Sequence, residues 1–591
     1  MEASFWDGKR APGIQDNINI NEFETVLDVF EFAVNEYAHK KAFTSLGHTL
    51  TYRDVEKYSR AFAAYIQYFT DLRPGDRIAI QLPNCLQYPI AVFGALRAGL
   101  IIVNTNPLYT AREMLHQFKD AGVRALLFID MFGDRVEEVA AESGIDYFFC
   151  TSLADVLSNP KRWLINTAAK KIKKMVPEFS IKNLVTFRQI LARGKKKSYI
   201  PVVGKSASSR ENSADRDDIV VLQYTGGTTG VAKGAMLTNG NIIANMLQAK
   251  SMINQVDDNG NPLYKPGNEI IIAPLPLYHI YSFTIHLMCL FSAGEHSIFI
   301  ANPRDTKMFI RTIRPWKFTS FVGLNTLFVS LMEHPDFKKC DFSALKLTLS
   351  GGTALTSDTV YRWKDVTGCD IAEGYGLTEC SPIACGNPSG GLARIGTVGV
   401  PAPDTAVKVI DDDGNELPFG ARGELCIRGP QVMKGYWQRP DETEKTFTKD
   451  GWLKTGDIAT IEEDGYVKIV DRLKDLIIVS GFNVYPNEIE DVVTLMPEIV
   501  ECAVIGVEDR KSGEVPKLFV VTHEPVTTEK IMAHCRERLT SYKLPKTIEF
   551  IDELPKTPVG KILRRELKEL VLARDLVETT IKKPMVETIP G

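Results

Sequence analysis

No CxxC pair occurs in the 591 residues, although ten cysteines are scattered along them. Cys380 and Cys385 are the closest two, and no Cys/His set stands at zinc-ligand spacing, which excludes a structural zinc site as the organising device. The cysteines read as reduced, small apolar packing residues of a reducing compartment. An excess of either charge is also missing. The 70 Lys and Arg against 74 Asp and Glu leave a net charge of −4, so there is no basic footprint for a nucleic acid. The opening MEASFWDGKRAPG lacks the basic-then-apolar pattern of a signal peptide, and the closing ETIPG carries no lipidation or peroxisomal signal, so a cytoplasmic location is expected. Residues 270–294 contain no Asp, Glu, Lys or Arg and are long enough to span a bilayer. They also contain Pro274, Pro276, His279 and His286, which fit a strand, a proline-broken turn and a helix buried beside an apolar pocket.

The length is too great for one hydrophobic core, and the texture of the chain divides it. From about residue 25 to 150, and again from Asp218 to about Pro388, helical patterns such as TYRDVEKYSRAFAAYIQ alternate with short apolar strands such as DRIAIQL. That rhythm predicts parallel sheets covered by helices. From Gly390 to Arg472 short β-rich runs are separated by turns such as DDDGNE and FGARGE, the pattern of a small antiparallel, barrel-like unit. The acidic spacing and closing Glu of a calcium loop are absent from DDDGNE, which reads as a hairpin turn. From about Leu473 the pattern is mixed α+β, with NEIEDVVTLM and EKIMAHCRERLT helical and VECAVIGV and KLFVVTH extended. The expected fold class is therefore α/β: a large N-terminal domain (1–472) of two helix-covered, mainly parallel sheets plus a barrel-like unit, and a small α+β C-terminal domain (473–591).

Between Lys161 and Lys197 twelve Lys and Arg face a single acid, Glu178. Asn159-Pro160 starts a helix and Pro177 stops it. Leu164, Ala168, Ile172, Met175 and Val176 share one face of that helix, with Lys170, Lys171 and Lys174 off it. Two readings stay open: a basic amphipathic helix resting on an anionic membrane, and a solvated helix packed on the main body.

The strongest chemical signal is YTGGTTGVAKG at 224–234, between the strand DIVVLQ and a helical run beginning near Asn239. Gly226, Gly227 and Gly230 let a backbone approach a ligand closely, Thr225, Thr228 and Thr229 add hydroxyl donors, and Lys233 adds a mobile cation, so the segment suits a polyphosphate. A Walker A loop cannot be aligned on it.

This segment resembles the phosphate-binding signature of the adenylate-forming superfamily, which includes acyl-CoA synthetases, firefly luciferases and nonribosomal peptide adenylation domains. Five more segments match that family in order: PLYHIYSF (276–283), GYGLTECSP (374–382), TGDIA (455–459), DRLKDLIIVSGFNVYPNEIE (471–490) and PKTPVGKILRREL (555–567). NTNPLYTAREMLHQ, GFNVYPNEIEDVV and VGKILRREL are most similar to the bacterial long-chain fatty acid–CoA ligases, and the likeness covers all but about the first and last twenty residues. The resemblance implies ATP, Mg2+ and coenzyme A as cofactor and co-substrates, with a fatty acid as the acyl substrate. Glu379 is then the magnesium ligand, Thr378 the α-phosphate donor, and Tyr375, within Gly374-Tyr375-Gly376, the adenine platform. Gly351-Gly352-Thr353 borders the base, Asp457 accepts the ribose hydroxyls, and Arg472 reinforces that contact. Lys561 is implied to bridge the substrate carboxylate and the α-phosphate. Lys474 is implied as a hinge about which the small domain turns, bringing Gly481 beside the path of the thiol arm.

For the acyl group, His279, Tyr278, Tyr281 and Phe283 border the expected carboxylate and tunnel. Phe283 is either a gating aromatic or simple packing, and Gly323 is a candidate tunnel wall. Three functions are carried forward: a medium- or long-chain fatty acid–CoA ligase; an aryl acid–CoA ligase or fatty acyl-AMP ligase; and a non-catalytic membrane-surface protein handing fatty acid to a transporter. About thirty residues follow Lys561, too few for a carrier domain. A homodimer and a peripheral contact with the inner face of the cell membrane stay open at this stage.

Overall fold

Alternating strands and helices in the first part of the chain build two sheets that sandwich shared helices. The computed structural model describes residues 2–202, 215–225, 232–256, 262–389, 392–509, 511–557 and 560–581. One sheet has seven strands in the order Val185–Thr186, Tyr147–Thr151, Val123–Ile129, Arg77–Gln81, Ile101–Asn104, Ile219–Thr225 and Lys233–Thr238. All its neighbours are parallel except the last pair, which forms an antiparallel hairpin. The second sheet has nine strands, whose six central members from Ile371–Gly376 to Lys41–Ser45 run parallel while both edges turn antiparallel.

The helices Tyr52–Phe69 and Gln87–Arg97 supply the filling. The second is buried along its whole length, as its lack of any polar face demands. Gly94 lets the two helices touch, since a Cβ there would sit 2.7 Å from the Phe62 Cβ. Thr51 opens Tyr52–Phe69 with a capping box: its hydroxyl accepts from the Asp54 N–H while the Asp54 carboxylate accepts from the Thr51 N–H.

Residues 406–472 form a four-stranded antiparallel sheet, Ala406–Ile410, Gly423–Arg428, Leu453–Ile461 and Val467–Arg472. DDDGNE is the hairpin turn expected there, with the Asp411 carboxylate accepting from the Asp413 and Asn415 N–H groups. Beyond it the chain enters a separate sheet built on the long hairpin Ile499–Asp509 and Gly513–Thr522, backed by the helices Pro486–Thr494 and Thr528–Arg538. This small unit has its own core around Ile477, Val504 and Leu518.

The uncharged run at 270–294 is the strand Ile270–Ala273, a turn, and a short helical stretch from Ile280 to Ser292. Among the described residues no helix is long and apolar enough to cross a membrane. All ten cysteines are buried and unpaired.

The helix expected near Asn239 is Asn239–Ile253, and between it and the phosphate-type segment Lys233–Thr238 forms a strand paired with Ile219–Thr225. One expectation is corrected. The basic stretch is not one regular helix: Lys161–Thr167 is α-helical and Ala168–Ile172 widens into a π turn. Ile165 packs against the main core, but other apolar residues of the segment stand clear of the body. Trp163 is 64% exposed and Ile172 78%, with Leu164 and Met175 also exposed. The segment is tethered by polar groups instead, Lys161 donating to the Gly47 carbonyl and Asn166 bonding the Ala154 N–H and Asp155.

Candidate active site

The ends of adjacent parallel strands make the floor of the site. Gly351 ends the strand Leu347–Gly351 directly beside Gly374 of Ile371–Gly376. The chain then enters a single 3-10 turn, Thr378–Cys380, closed by Ser381 in the left-handed region at φ +68. A non-glycine residue held there is strained, and its surroundings hold it. The Ser381 hydroxyl donates to the Gln431 carbonyl at 2.9 Å, and its own carbonyl accepts from Thr284 Oγ1 at 2.6 Å. From that turn Thr378 borders the cavity over the floor and Glu379 borders a second crevice.

The glycines differ in purpose. A Cβ on Gly376 would fall 1.9 Å from the Pro382 carbonyl oxygen, so internal packing alone demands glycine. Gly352, at φ +87, would point a Cβ at the Lys561 side chain, 3.8 Å from its Cε, and a Cβ on Gly374 would make only ordinary contacts, 3.5 Å from the Cys385 carbonyl oxygen. Beside them Thr353 Oγ1 is buried without a hydrogen-bond partner, an atom that a ligand would satisfy.

Asp457 lies on the strand Leu453–Ile461, 7% exposed, directly across from Arg472. Its carboxylate accepts from the Tyr375 hydroxyl at 2.6 Å and lies 3.3 Å from Arg472 Nε. Tyr375 therefore links the glycine-rich floor to the antiparallel unit through its hydroxyl, while its ring remains beside the cavity.

Lys561 reaches this floor from the small C-terminal unit. A turn fixes its backbone: the Lys561 N–H donates to Thr557 Oγ1, and its carbonyl accepts from the Thr557 N–H at 2.7 Å. The side chain enters a cavity of about 110 Å³ that it shares with His279, Tyr281, Gly352, Thr378 and Met252. Burial lowers its pKa to about 8, helped by the Arg472 cation and opposed by Asp457 and Glu379. His279 opens the short helix after PLY, its Nδ1 accepting from the Tyr281 N–H, which leaves the proton on Nε2. Burial and the Lys561 charge depress it to about 3, so it is neutral at ordinary pH.

Glu379 accepts from the Tyr436 hydroxyl at 2.7 Å and borders a second, polar crevice of about 250 Å³ with Lys445, Lys454 and Thr446. Among the described residues no three or more His, Cys, Asp or Glu gather as a metal cluster. Glu379 and Glu424 both border this polar crevice, which fits Mg2+, commonly held by one or two carboxylates together with substrate phosphates. Lys233 forms an ion pair with Glu442 and lies 5.2 Å over the Tyr436 ring. Thr225 pairs with Lys233 across the hairpin. Gly226, Gly227, Thr228, Thr229 and Gly230 lie outside the described residues. Lys474 is exposed in the 3-10 turn Leu473–Asp475, and Gly481, at φ +86, has open space where a Cβ would stand.

Of the two readings of Phe283, packing is the one found: it is buried in the core and is not among the residues lining the cavity. Gly323 is occupied by Phe328, whose ring would lie 2.7 Å from an added Cβ. The apolar wall is made instead by Ala249, Met252, Ile253, Ile285, Leu347 and Leu349. Sequence reasoning also missed Tyr436, Glu442 and Glu373. The last accepts from the Leu355 N–H, and burial raises it to about 8. The polar run GYWQRPDET around Tyr436 and Glu442 was the available signal, and alone it reads as a surface turn.

Residues 30–437 match the AMP-binding enzyme family, and residues 488–561 match the AMP-binding enzyme C-terminal domain. A long-chain-fatty-acid–CoA ligase of Yersinia pestis is 45% identical, over 95% of this chain and 97% of its own length. One from Haemophilus influenzae is also 45% identical, over 96% and 99% respectively. Among solved structures, the anthranilate CoA ligase AuaEII in complex with anthranoyl-AMP superposes with a TM-score of 0.80 at 24% identity, covering 93% of this chain and 98% of its own. That last likeness concerns the fold.

Proposed function

This chain belongs to the AMP-binding enzyme family, and from that premise we propose that it joins a medium- or long-chain fatty acid to coenzyme A through an acyl-adenylate. The carrying observation is Lys561, delivered by the small unit into the cavity that also holds His279 and Thr378 and adjoins the Tyr375–Asp457 pair.

In the first step a fatty carboxylate oxygen attacks the α-phosphorus of ATP, and the bond to pyrophosphate breaks. Two anions must meet, so fixed positive charge and donors matter most. Lys561 lies between carboxylate and α-phosphate as a cation below pH of about 8. Thr378 donates to the phosphate, neutral His279 offers its Nε2–H, and Asp457, oriented by Tyr375 and Arg472, accepts from the ribose hydroxyls. Glu379 would hold Mg2+, which when bound supplies charge neutralisation on the phosphate oxygens. The apolar wall from Ala249 to Leu349 accepts the acyl chain.

In the second step the thiol of coenzyme A attacks the acyl carbon and AMP leaves. Lys561 occupies the space beside that carbon, so the small unit has to turn away, about the segment 472–474, before the thiol arrives. Gly481, with no side chain, suits the edge of the thiol path.

The test is product analysis with a series of acids from C6 to C18. AMP and pyrophosphate in equal amounts, plus acyl-CoA, support the proposal; ADP refutes it. An adenylate that never passes to coenzyme A would instead favour an acyl-AMP ligase.

The basic segment supports a second, spatial proposal: the enzyme rests on an anionic membrane through Trp163, Leu164, Ile172 and Met175, whose exposure beside a dense set of lysines suits both apolar insertion and headgroup attraction. Sedimentation with anionic vesicles tests it.

A further inference from the structure

Adenylation needs Lys561 inside the cavity, and thiol transfer needs it gone, so whatever holds the small unit in place governs the balance between the steps. The connection between body and small unit is a single pass of chain after the strand Val467–Arg472. Across that pass one residue makes an unusual set of bonds, one through its backbone and two through its side chain. The Asn487 N–H donates to Asp471 Oδ2 at 2.8 Å, and its Nδ2 donates to the Val470 carbonyl at 3.2 Å. Its Oδ1 accepts from Arg564 Nη2 at 3.0 Å.

Each partner places this arrangement mechanically. Asp471 and Val470 belong to the last strand of the body, and Asp471 is 1% exposed. Asn487 opens the small unit's helix Pro486–Thr494, whose own cap residue Tyr485 makes no side-chain cap bond. The Asp471 carboxylate thus serves as the cap from the neighbouring sheet, facing the positive end of that helix. Arg564 stands three residues after Lys561, and its Nη2 also lies 2.8 Å from both oxygens of Glu490. One bond would leave the helix free to swivel. Bonds to two successive strand residues and to the segment bearing Lys561 fix its angle.

We propose that Asn487 is a positioning residue that locks the small unit to the strand Val467–Arg472 with Lys561 in the cavity, and that these bonds are released for the thiol step. Hydrogen bonds of this kind are individually weak enough to break and reform in each turnover. The inference rests on the activity proposed above.

Two half-reactions separate a lock from a structural role. Asn487→Ala keeps the N–H bond to Asp471 and loses the other two. In that variant, fatty-acid-driven ATP–pyrophosphate exchange should fall about tenfold, equivalent to about 1.4 kcal/mol. Thioester formation from supplied acyl-AMP and coenzyme A should stay at or above the wild-type rate. Asn487→Ser, which retains a small donor but cannot reach Arg564, serves if the alanine variant fails to fold, with the same direction of split. If the wild-type chain lacks both half-reactions, the proposed activity falls and this inference with it. If the wild type performs both while the variant loses both alike, or neither, only the lock is overturned.

Discussion

Lys561 concentrates the electrostatics of the site. A lysine with its pKa lowered to about 8 is a cation below that pH and neutral above it. The kcat/KM of adenylation, which reports the free enzyme, should therefore decline as pH rises through about 8. Lys561→Arg should remove that alkaline limb, because a guanidinium keeps its charge, even if its different shape lowers the plateau. An unchanged limb in the arginine variant would assign it to another group. His279 does not titrate in this window, since burial holds it near 3. The neighbouring glycines show why residue type alone misleads: Gly376 answers to a carbonyl of its own chain, whereas Gly352 opens on the cavity.

At the scale of elements, the segment Lys161–Ile172 stands out for what it leaves uncovered. Amphipathic helices ordinarily bury their apolar face, since exposing it forgoes roughly 25 cal/mol per Å². Here Trp163 and Ile172 face outward. Changing Lys170, Lys171, Lys173 and Lys174 to Gln should weaken binding to phosphatidylserine-containing vesicles by at least about tenfold, as each lysine near such a surface contributes about 1 kcal/mol. Trp163→Ala should weaken binding to the same vesicles while leaving the salt dependence in place. Vesicle binding indifferent to both changes would end the membrane reading. The hairpin at 219–238 teaches a related point: pairing of Lys233–Thr238 with Ile219–Thr225 brings Lys233 over Tyr436, which no local pattern announces.

For the whole molecule, the question is whether one arrangement can serve both steps. Lys561→Ala should abolish adenylate formation and yet retain thioester formation from supplied acyl-AMP, because the lysine belongs to the first arrangement only. Equal loss of both would contradict a turning small unit. The polar contacts at the joint between Val467–Arg472 and Pro486–Thr494 suit such a design, since an apolar seam there would resist separation.

Periodicity in the sequence was enough to determine the strand–helix rhythm of the body, the antiparallel unit before Arg472 and the α+β unit after it, because those patterns are local. Ordered motifs identified the family, and with it Lys561, Asp457 and Glu379 as candidates, because their spacing along the chain carries that information. Only the tertiary structure decided what these residues meet. Tyr375 reaches Asp457 across 82 positions, Tyr436 reaches Glu379 across 57, and Asn487 grips Asp471 and Arg564 at once. It also set Met252 and its neighbours, not Phe283 or Gly323, along the cavity that Lys561 enters, and left Trp163 and Ile172 of the basic segment exposed. The reason is physical: a side chain's partners are chosen by sheet order and by the packing of distant strands and helices, quantities to which no window of neighbouring residues has access.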